Sequence, residues 1–456
     1  MELFTGSNRF VRSPFQPGIR WSPRFVAIAT VIVVIASSTL AFGQAGTLDP
    51  TYGSGGLATV FSQASGNLLT AAAIQADDKV VMVGTNPGDV LVRLNTNGTL
   101  DASFGTNGVV SENFNVLGPP MAVVIQPNQQ ILVLASGFLG TAIGRFNSDG
   151  SMDTTFGTGG FASTRLISNG ASAIIPMALQ SNGSILIGGN GLIARFTSSG
   201  QPDTTFGTNG IAPLTNRTAT GIAIQSDGKI LVSNGMLPLP ELFGAPNLPS
   251  PSAASISRYT STGSLDTIYG ITGSASCVAS GAAMALQSNG KLVAVGTVTS
   301  GVALTQNGNN NQTGFGTVRY NPGGSIDTTF NPGAGLGSGG GVVTGFGNSF
   351  QFGAPFALAI QSNGEIVLAG EAGNGNIDGN NLGSSSFALT RYTTTGHLDT
   401  SFGNNGIVTT TLSSSFSFVN AVLLQSDGKI VAVGNTGRAF GSGFSGSFVA
   451  ARYLAQ

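Results

Sequence analysis

The sequence predicts an all-β protein built from tandem modules, and three observations support this fold class. Only 8% of the residues are charged, against roughly 25% in an ordinary globular domain. Hydrophobic residues make up 41% of the chain and occur in short blocks separated by Gly, Asn, Ser and Asp, without helical spacing. Two sequence blocks also recur along the chain, as in repeat architectures. These features indicate short strands joined by turns.

The N-terminal residues differ from the rest of the chain. Four arginines precede an uncharged apolar run over residues 25–40, and small residues follow at positions 41–45. This pattern predicts a secretory signal peptide over residues 1–45 and a single repeat domain over residues 46–456. The alternative is an uncleaved anchor, because the uncharged stretch continues to Leu48 and approaches the roughly 20 residues that span a bilayer.

Charge and cysteine content exclude several classes of function. Without the leader, the loss of four arginines and Glu2 leaves a net charge near −4, so we expect no nucleic-acid partner. Cys277 is the one cysteine, and we interpret it as a partly buried apolar residue. No later apolar stretch could span a membrane. We therefore expect a monomer that is secreted, periplasmic or on the cell surface.

The first repeated block reads Ala-Ile-Gln-x-Asp-Gly-Lys, followed by four apolar residues and Gly. The Asp-Gly or Asn-Gly pair between two apolar runs is a strong hairpin signal. The continuously apolar second run indicates a strand that is buried on both faces. The block occurs seven times, with its glutamine at Gln75, Gln126, Gln180, Gln225, Gln287, Gln361 and Gln425.

The second repeated block places an Arg eight residues before an Asp and is followed by Phe-Gly-x-x-Gly or a close variant. Its aspartates are Asp49, Asp101, Asp153, Asp203, Asp266, Asp327 and Asp399. Its arginines are Arg93, Arg145, Arg195, Arg258, Arg319, Arg391 and Arg452. Asp49 has no repeated Arg before it, and Arg452 has no Asp after it. A ring that joins the two chain ends would complete the seventh pair.

The two blocks together predict four short antiparallel strands in each module. Seven such modules in tandem predict a seven-bladed β-propeller, since four to eight four-stranded blades is the usual range. A linear β-solenoid is the main alternative. It is disfavoured because its coils are shorter and because the chain has no atypical capping repeats.

The LDxxFGxxG and QxDGKIxxxG blocks resemble the delta-60 repeat family of bacterial secreted proteins, over about residues 47–453. The resemblance implies a propeller-like fold and an extracytoplasmic setting, and it carries over no catalytic residue. Four residues depart from the turn of the first block, and Asn331 replaces the glycine after Phe in the second. The four are Asp78, Gln129, Ser184 and Glu365.

We interpret the repeated Asp and Arg residues as structural pairs that hold the turns between blades. We expect Asp49 to pair with Arg452 where the two ends of the chain close the ring. Length variation should mark the binding face, and it is confined to modules 4 to 7. We assign it to the connections between strands 1 and 2 and between strands 3 and 4. The variable segments are residues 236–251, 297–313, 331–353, 371–386 and 436–447.

The variable segments contain one weak candidate for a ligand site. Asn374, Asn376, Asp378 and Asn380 alternate like the oxygen ligands of a calcium loop. The segment has one carboxylate, however, and Ser385 stands where a bidentate Glu is expected. We therefore predict no metal and no other cofactor, with calcium as the alternative. His397 is the sole histidine and lies in a repeated turn, so transition-metal and Ser-His-Asp chemistry are not expected.

No catalytic residue is identified, and the sequence predicts a secreted or surface binding and scaffolding module. Its ligand would be a glycan, a peptide or a cell-wall component, held by the loops of modules 4 to 7. The alternative is a glycan-active hydrolase or lyase that uses carboxylates around the central channel. The low charge and the absence of Trp after Trp21 favour binding over catalysis.

Overall fold

The structure is a computed structural model, in which Gly43–Gln456 forms one compact unit. It describes residues 43–86, 88–111, 118–137, 140–164, 175–234, 254–276, 283–299, 313–332, 340–347, 350, 352–374, 384–412, 416–440 and 443–456. All regular structure in these ranges is β-strand, and they contain no helix. The strands, in chain order, are β1 (Leu57–Ser65), β2 (Leu68–Ile74), β3 (Val80–Asn86), β4 (Gly88–Leu94), β5 (Val109–Ser111), β6 (Pro120–Ile125), β7 (Ile131–Gly137), β8 (Gly140–Phe146), β9 (Phe161–Thr164), β10 (Met177–Leu179), β11 (Ile185–Gly188), β12 (Asn190–Phe196), β13 (Ile211–Ile224), β14 (Ile230–Asn234), β15 (Ser255–Tyr259), β16 (Ser274–Ser276), β17 (Ala283–Leu286), β18 (Leu292–Thr299), β19 (Thr313–Tyr320), β20 (Gly341–Thr344), β21 (Phe352–Ile360), β22 (Ile366–Gly373), β23 (Ser385–Tyr392), β24 (Ile407–Thr410), β25 (Phe416–Leu424), β26 (Ile430–Phe440) and β27 (Gly443–Tyr453).

The strands form seven four-stranded antiparallel blades, which confirms the predicted seven-bladed β-propeller. Strand β13 serves two blades, because its first half pairs with β12 and its second half with β14. Blades 1 to 7 are, in order, β2–β5, β6–β9, β10–β13, β13–β16, β17–β20, β21–β24, and β25–β27 with β1. The first strands of neighbouring blades pack against one another and so form the inner ring.

The core lies between the blades, one apolar cluster for each neighbouring pair. The second strand of each blade is continuously apolar because both of its faces pack into the core. In β3, Val80 and Met82 pack into the cluster shared with blade 7, while Val81 and Val83 pack into the cluster shared with blade 2. All four side chains are fully buried. Burying a Val side chain stabilises a fold by about 1.5–3 kcal/mol, so these strands supply much of the core energy.

The ring is closed by the N-terminal strand. Strand β1 pairs antiparallel with β27, with Leu57 opposite Ala451, and so becomes the fourth strand of blade 7. Outside this pairing, the backbone N–H of Asp49 donates to the carbonyl of Arg452 at 2.8 Å. The N–H of Leu454 donates to the carbonyl of Thr47 at 2.9 Å. The two ends of the chain are thus joined in one sheet.

The blades present two different faces. The motif face is formed by the turns that begin at the seven repeated glutamines and by the turns that follow the seven repeated arginines. These turns are the connections between strands 1 and 2 and between strands 3 and 4. The loop face is formed by the connections between strands 2 and 3 and by the passages from each blade to the next.

The predicted assignment of the variable segments to connections was wrong. Residues 236–251 lie within a connection between strands 2 and 3, on the loop face, and each of the ranges 297–313, 371–386 and 436–447 contains another such connection. The physical reason is that the Gln-to-Lys turn is itself the link between strands 1 and 2, so the next reversal lies at the opposite end of the blade. Residues 331–353 span the link between strands 3 and 4 of blade 5 and the passage to blade 6.

Candidate functional site

Each repeated Arg on the motif face lies at the centre of one polar cluster, and blade 5 shows its parts. Arg319 Nε donates to Asp327 Oδ2 at 2.6 Å. Its Nη1 donates to the carbonyl of Thr394, in blade 6, at 2.6 Å. Its guanidinium carbon lies 4.5 Å from the ring centroid of Phe330, a cation–π contact. Lys291 Nζ reaches the same Asp327 oxygen at 2.8 Å.

The Arg, its Asp, the aromatic ring and the carbonyl of the next blade recur seven times around the ring, and a Lys joins the Asp in four of the seven clusters. A guanidinium nitrogen lies 2.6–2.9 Å from the carboxylate in every Arg and Asp pair. Nη1 of each Arg also donates to a carbonyl of the next blade. The seven acceptors are the carbonyls of Ser148, Ser198, Ser261, Pro322, Thr394, Ala455 and Thr96. Each Arg therefore links its own blade to the following one.

The seventh cluster joins the two ends of the chain. Arg452 Nη2 lies 2.9 Å from Asp49 Oδ2, and Nη1 donates to the carbonyl of Thr96 in blade 1 at 2.6 Å. The guanidinium carbon lies 4.6 Å from the ring centroid of Tyr52, which is fully buried. Lys429 adds a second cation 3.4 Å from Asp49. Asp49 and Arg452, which have no partner eight residues away in the sequence, thus pair with each other in the folded chain.

The aspartates in these clusters are held in their ionised form. The pKa values of all seven lie below their ordinary value of 3.8. In Asp153 and Asp203 the largest cause is the hydroxyl of the Thr two residues later. In the other five, burial raises the pKa but is outweighed by hydrogen bonds and neighbouring cations. Carboxylates of this kind do not act as general acids at neutral pH.

The departures from the repeat have local explanations. Asp78 and Gln129 stand where other repeats have Gly, with φ of 63° and 68°, and Asn331 has φ of 48°. Asp78 accepts a hydrogen bond from the N–H of Ser426 at 2.8 Å, and Gln129 Oε1 accepts one from the N–H of Ala76 at 3.2 Å. These two side chains bridge neighbouring blades. The carbonyl of Ser184 accepts a hydrogen bond from the N–H of Gln180, and this bond closes the turn. Glu365 Oε2 lies 3.3 Å from Nε of Arg391.

Blade 4 departs from the other clusters at one exposed position. In the six other blades, the residue two positions after the repeated Asp is Ser or Thr, and its hydroxyl donates to the carboxylate at 2.6–2.7 Å. In blade 4 this residue is Ile268, which is 78% exposed. Ile268 has no side-chain hydroxyl, and its backbone N–H donates to Asp266 Oδ1 at 3.3 Å.

We expect the Ile268→Thr substitution to stabilise the protein, because it restores a hydroxyl donor to an ionised carboxylate. A hydrogen bond to a charged group contributes about 1.5–3 kcal/mol at most, and exposure here reduces the gain to about 1 kcal/mol. Differential scanning calorimetry should show a Tm raised by about one to two degrees. Ile271→Thr is the matched control, since Ile271 is 81% exposed and lies outside this hydrogen bond. An equal rise in both variants would contradict the explanation.

A groove of about 580 Å³ lies on the motif face between blades 1 and 2. Its lining includes Gln75, Lys79, Arg93 and Gln129. The charged groups are already engaged within the fold, because Arg93 and Lys79 both pair with Asp101, at 2.8 and 3.1 Å. The groove therefore offers a ligand little charge that is not already neutralised.

The loop face is strongly asymmetric. In blades 1 to 3 the connection between strands 2 and 3 is confined to residue 87, residues 138–139 and residue 189. In blades 4 to 6 it spans residues 235–254, 300–312 and 374–384, most of which lie outside the described residues. Blade 7 has a short connection, but β26 and β27 are 11 residues long, against 7 for β3, so this hairpin is longer.

The described part of blade 6 places a titratable group, Glu371, at the loop face. Glu371 lies in β22, opposite Phe387, and is half-buried. Burial raises its pKa to about 7, although a hydrogen bond with Ser385 lowers it. Ser385 in turn contacts blade 7, because its Oγ donates to the carbonyl of Ser417 at 3.2 Å. Glu371 was not singled out from the sequence, because a single Glu in a strand carries no signal of its burial.

The predicted ligand residues are only partly described. Asn374 lies at the end of β22, where its Oδ1 accepts a hydrogen bond from the N–H of Ser384 at 3.1 Å. Asn376, Asp378 and Asn380 lie outside the described residues, as does Cys277. Within the described ranges, no group of three or more His, Cys, Asp or Glu side chains could hold a metal. His397 is exposed in the repeated turn of blade 6.

The fold and its clusters define a seven-bladed β-propeller whose blades are linked by a ring of Arg and Asp pairs. A family model described as "Domain of unknown function (DUF5122) beta-propeller" matches residues 75–104, 126–156, 180–206, 287–330 and 361–402. These matches fall in blades 1, 2, 3, 5 and 6 and are consistent with a propeller repeat family. The delta-60 resemblance itself stays a prediction.

Several solved structures are similar to this chain. A virginiamycin B lyase from Staphylococcus aureus is 12% identical with a TM-score of 0.46, covering 87% of this chain and 99% of that one. The WD40 propeller domain of Doa1 is 12% identical with a TM-score of 0.47, covering 91% and 97%. YCF48 from Cyanidioschyzon merolae is 10% identical with a TM-score of 0.43, covering 87% and 98%. A search of curated proteins gave no significant match.

Among the described residues, no helix has the length and apolar character needed to cross a membrane.

Proposed function

We propose that this protein is an exported binding module that holds a glycan on the loop face of blades 4 to 7. The observation that carries the proposal is the asymmetry of that face. Blades 1 to 3 close the connection between strands 2 and 3 within one or two residues, whereas blades 4 to 6 use long segments. Insertions gathered on one face of a repeat protein usually mark its binding face.

The chemistry of these segments favours an uncharged, hydrogen-bonding ligand. Residues 235–254, 300–312 and 374–384 contain two charged residues, Glu241 and Asp378. Residues 300–312 are rich in Asn and Gln, whose side chains both donate and accept hydrogen bonds. The hydroxyl groups of a neutral sugar match such a surface, whereas a nucleic acid would require concentrated positive charge.

A glycan array on the purified chain tests this proposal. Replacing residues 375–383 by a short Gly-Ser turn should reduce binding of the glycan that the unaltered protein selects by at least about tenfold, equivalent to about 1.4 kcal/mol. Leu100→Ser, on the motif face, is the matched control and should leave binding unchanged. Circular dichroism should show that both variants fold. Unchanged binding after loop replacement would contradict the proposal.

Glu371 supports a second candidate, a glycan-active hydrolase or lyase. A carboxyl whose pKa is about 7 retains enough protonation at neutral pH to act as a general acid. This role requires a second carboxylate, about 5–9 Å away in most such enzymes. The test incubates the protein with a polysaccharide that it binds in the glycan array and measures the release of reducing ends. Release by the unaltered protein but not by Glu371→Gln would favour the enzyme. Binding without turnover in both proteins would favour the binding module.

A further inference from the structure

The first residues of the folded domain are built into its core. Ala45 is 7% exposed and belongs to the apolar cluster between blades 6 and 7. Its carbonyl accepts a hydrogen bond from the N–H of Gly403 at 2.8 Å, and the N–H of Gly46 donates to the carbonyl of Leu454 at 2.7 Å. The fold therefore needs Ala45 as part of the mature chain.

Gln44, one residue earlier, lies at the boundary between the predicted leader and the folded domain. It is exposed, yet its carbonyl is fixed by the N–H of Thr47 at 3.0 Å and by the Thr47 hydroxyl at 2.6 Å. Its side-chain Nε2 donates to the carbonyl of Gly403 at 3.1 Å. The backbone of Gln44 is thus held against the domain, and its exposed side chain reaches the domain through this one hydrogen bond.

Within residues 43–46, two peptide bonds match the small-x-small pattern that precedes a leader cleavage site. One is Gly43–Gln44, with Ala41 and Gly43 as the small residues, and the other is Ala45–Gly46, with Gly43 and Ala45. The sequence alone does not distinguish between these two bonds. The structure does, because cleavage after Ala45 would remove a buried side chain and the hydrogen bond to Gly403.

We propose that the leader is removed between Gly43 and Gln44 and that the new N-terminal Gln44 then becomes pyroglutamate. The proposal rests on the export included in the proposed function. A leader peptidase uses water to break the Gly43–Gln44 amide. The freed α-amino nitrogen of Gln44 then attacks its own side-chain Cδ. A new N–C bond forms, and the Nε2 group leaves as ammonia, so no oxidant or reductant is needed.

Intact mass spectrometry of the full chain, secreted from a bacterial host, tests both steps. The expected mass is that of residues 44–456 less one ammonia. Gln44→Asn is the matched control, because its side chain is one methylene too short to close the five-membered ring. This variant should be cleaved at the same bond and show no loss of ammonia.

A mature chain that begins at any residue other than Gln44, or one that retains the leader, would overturn the cleavage site, and an unmodified Gln44 would overturn the cyclisation. A chain that begins at Gly46 but still binds its glycan would overturn this inference alone and leave the proposed function intact. A second measurement compares folded chains that begin at Gln44 and at Gly46. The shorter chain should have the lower Tm, and equal values would overturn the structural reason for the cleavage position.

Discussion

Deleting residues 46–56 is expected to lower the free energy of unfolding by about 6 kcal/mol or more, a large part of the 5–15 kcal/mol typical of a domain. The deletion removes the fully buried ring of Tyr52 and leaves Arg452 and Lys429 without the carboxylate of Asp49. It also removes the acceptors for the N–H groups of Arg452 and Leu454. Strand β1 would still pair with β27, but the turn before it, which completes the seventh cluster, would be lost.

Thermal unfolding followed by circular dichroism measures this effect, and a Tm lower by about 10 °C or more is expected. The single substitution Asp49→Asn keeps the backbone and should show part of the loss. Arg438→Ala is the control, because Arg438 is exposed on β26 and lies outside the seven clusters. If the deletion left the Tm unchanged, the ring would not depend on its N-terminal closure.

The repeat made the architecture predictable from the sequence. The eight-residue spacing of Arg319 and Asp327 indicated a pair, and the unmatched Asp49 and Arg452 indicated a ring. Hairpin signals such as Asp227-Gly228 located the turns, and Gly228 has the positive φ of 81° that such a turn requires. These inferences succeed because each depends on local chemistry that is repeated seven times.

Contacts between blades could not be predicted in the same way. The guanidinium of Arg319 reaches the carbonyl of Thr394 because the ring geometry sets neighbouring turns side by side, and no local pattern reports this. Asn435 is a further example. It is fully buried in blade 7, where its side-chain amide both donates to and accepts from the backbone of Leu69, in blade 1. The sequence gives no reason to distinguish this Asn from those in loops.

The substitution Asp327→Asn is expected to lower the free energy of unfolding by about 3–5 kcal/mol, since it leaves buried charge without its partner. Asp327 is 3% exposed and accepts from Arg319 Nε at 2.6 Å and from Lys291 Nζ at 2.8 Å. The amide has nearly the same shape, so no cavity forms. Both cations would lose their counter-charge within a cluster that also links blade 5 to blade 6.

Chemical denaturation in urea measures this loss as a lower midpoint with an unchanged slope. Asp227→Asn is the matched control. Asp227 is 54% exposed and lies 3.5 Å from Lys229, and a surface pair of this kind contributes about 0–1 kcal/mol. A loss in Asp327→Asn no larger than in Asp227→Asn would show that the clusters do not stabilise the ring.

The dependence of this difference on pH follows from the pKa of Asp327. Burial raises that pKa, but hydrogen bonds from Lys291, Thr329 and Arg319 outweigh burial and hold it well below its ordinary value of 3.8. A carboxyl whose pKa is lowered by folding stabilises the protein above its unfolded pKa and loses that effect as the pH falls below it. The stability gap between the unaltered protein and Asp327→Asn should therefore be full above about pH 5 and shrink below about pH 4. A gap of constant size from neutral to strongly acidic pH would mean that the carboxylate charge is not what stabilises the cluster.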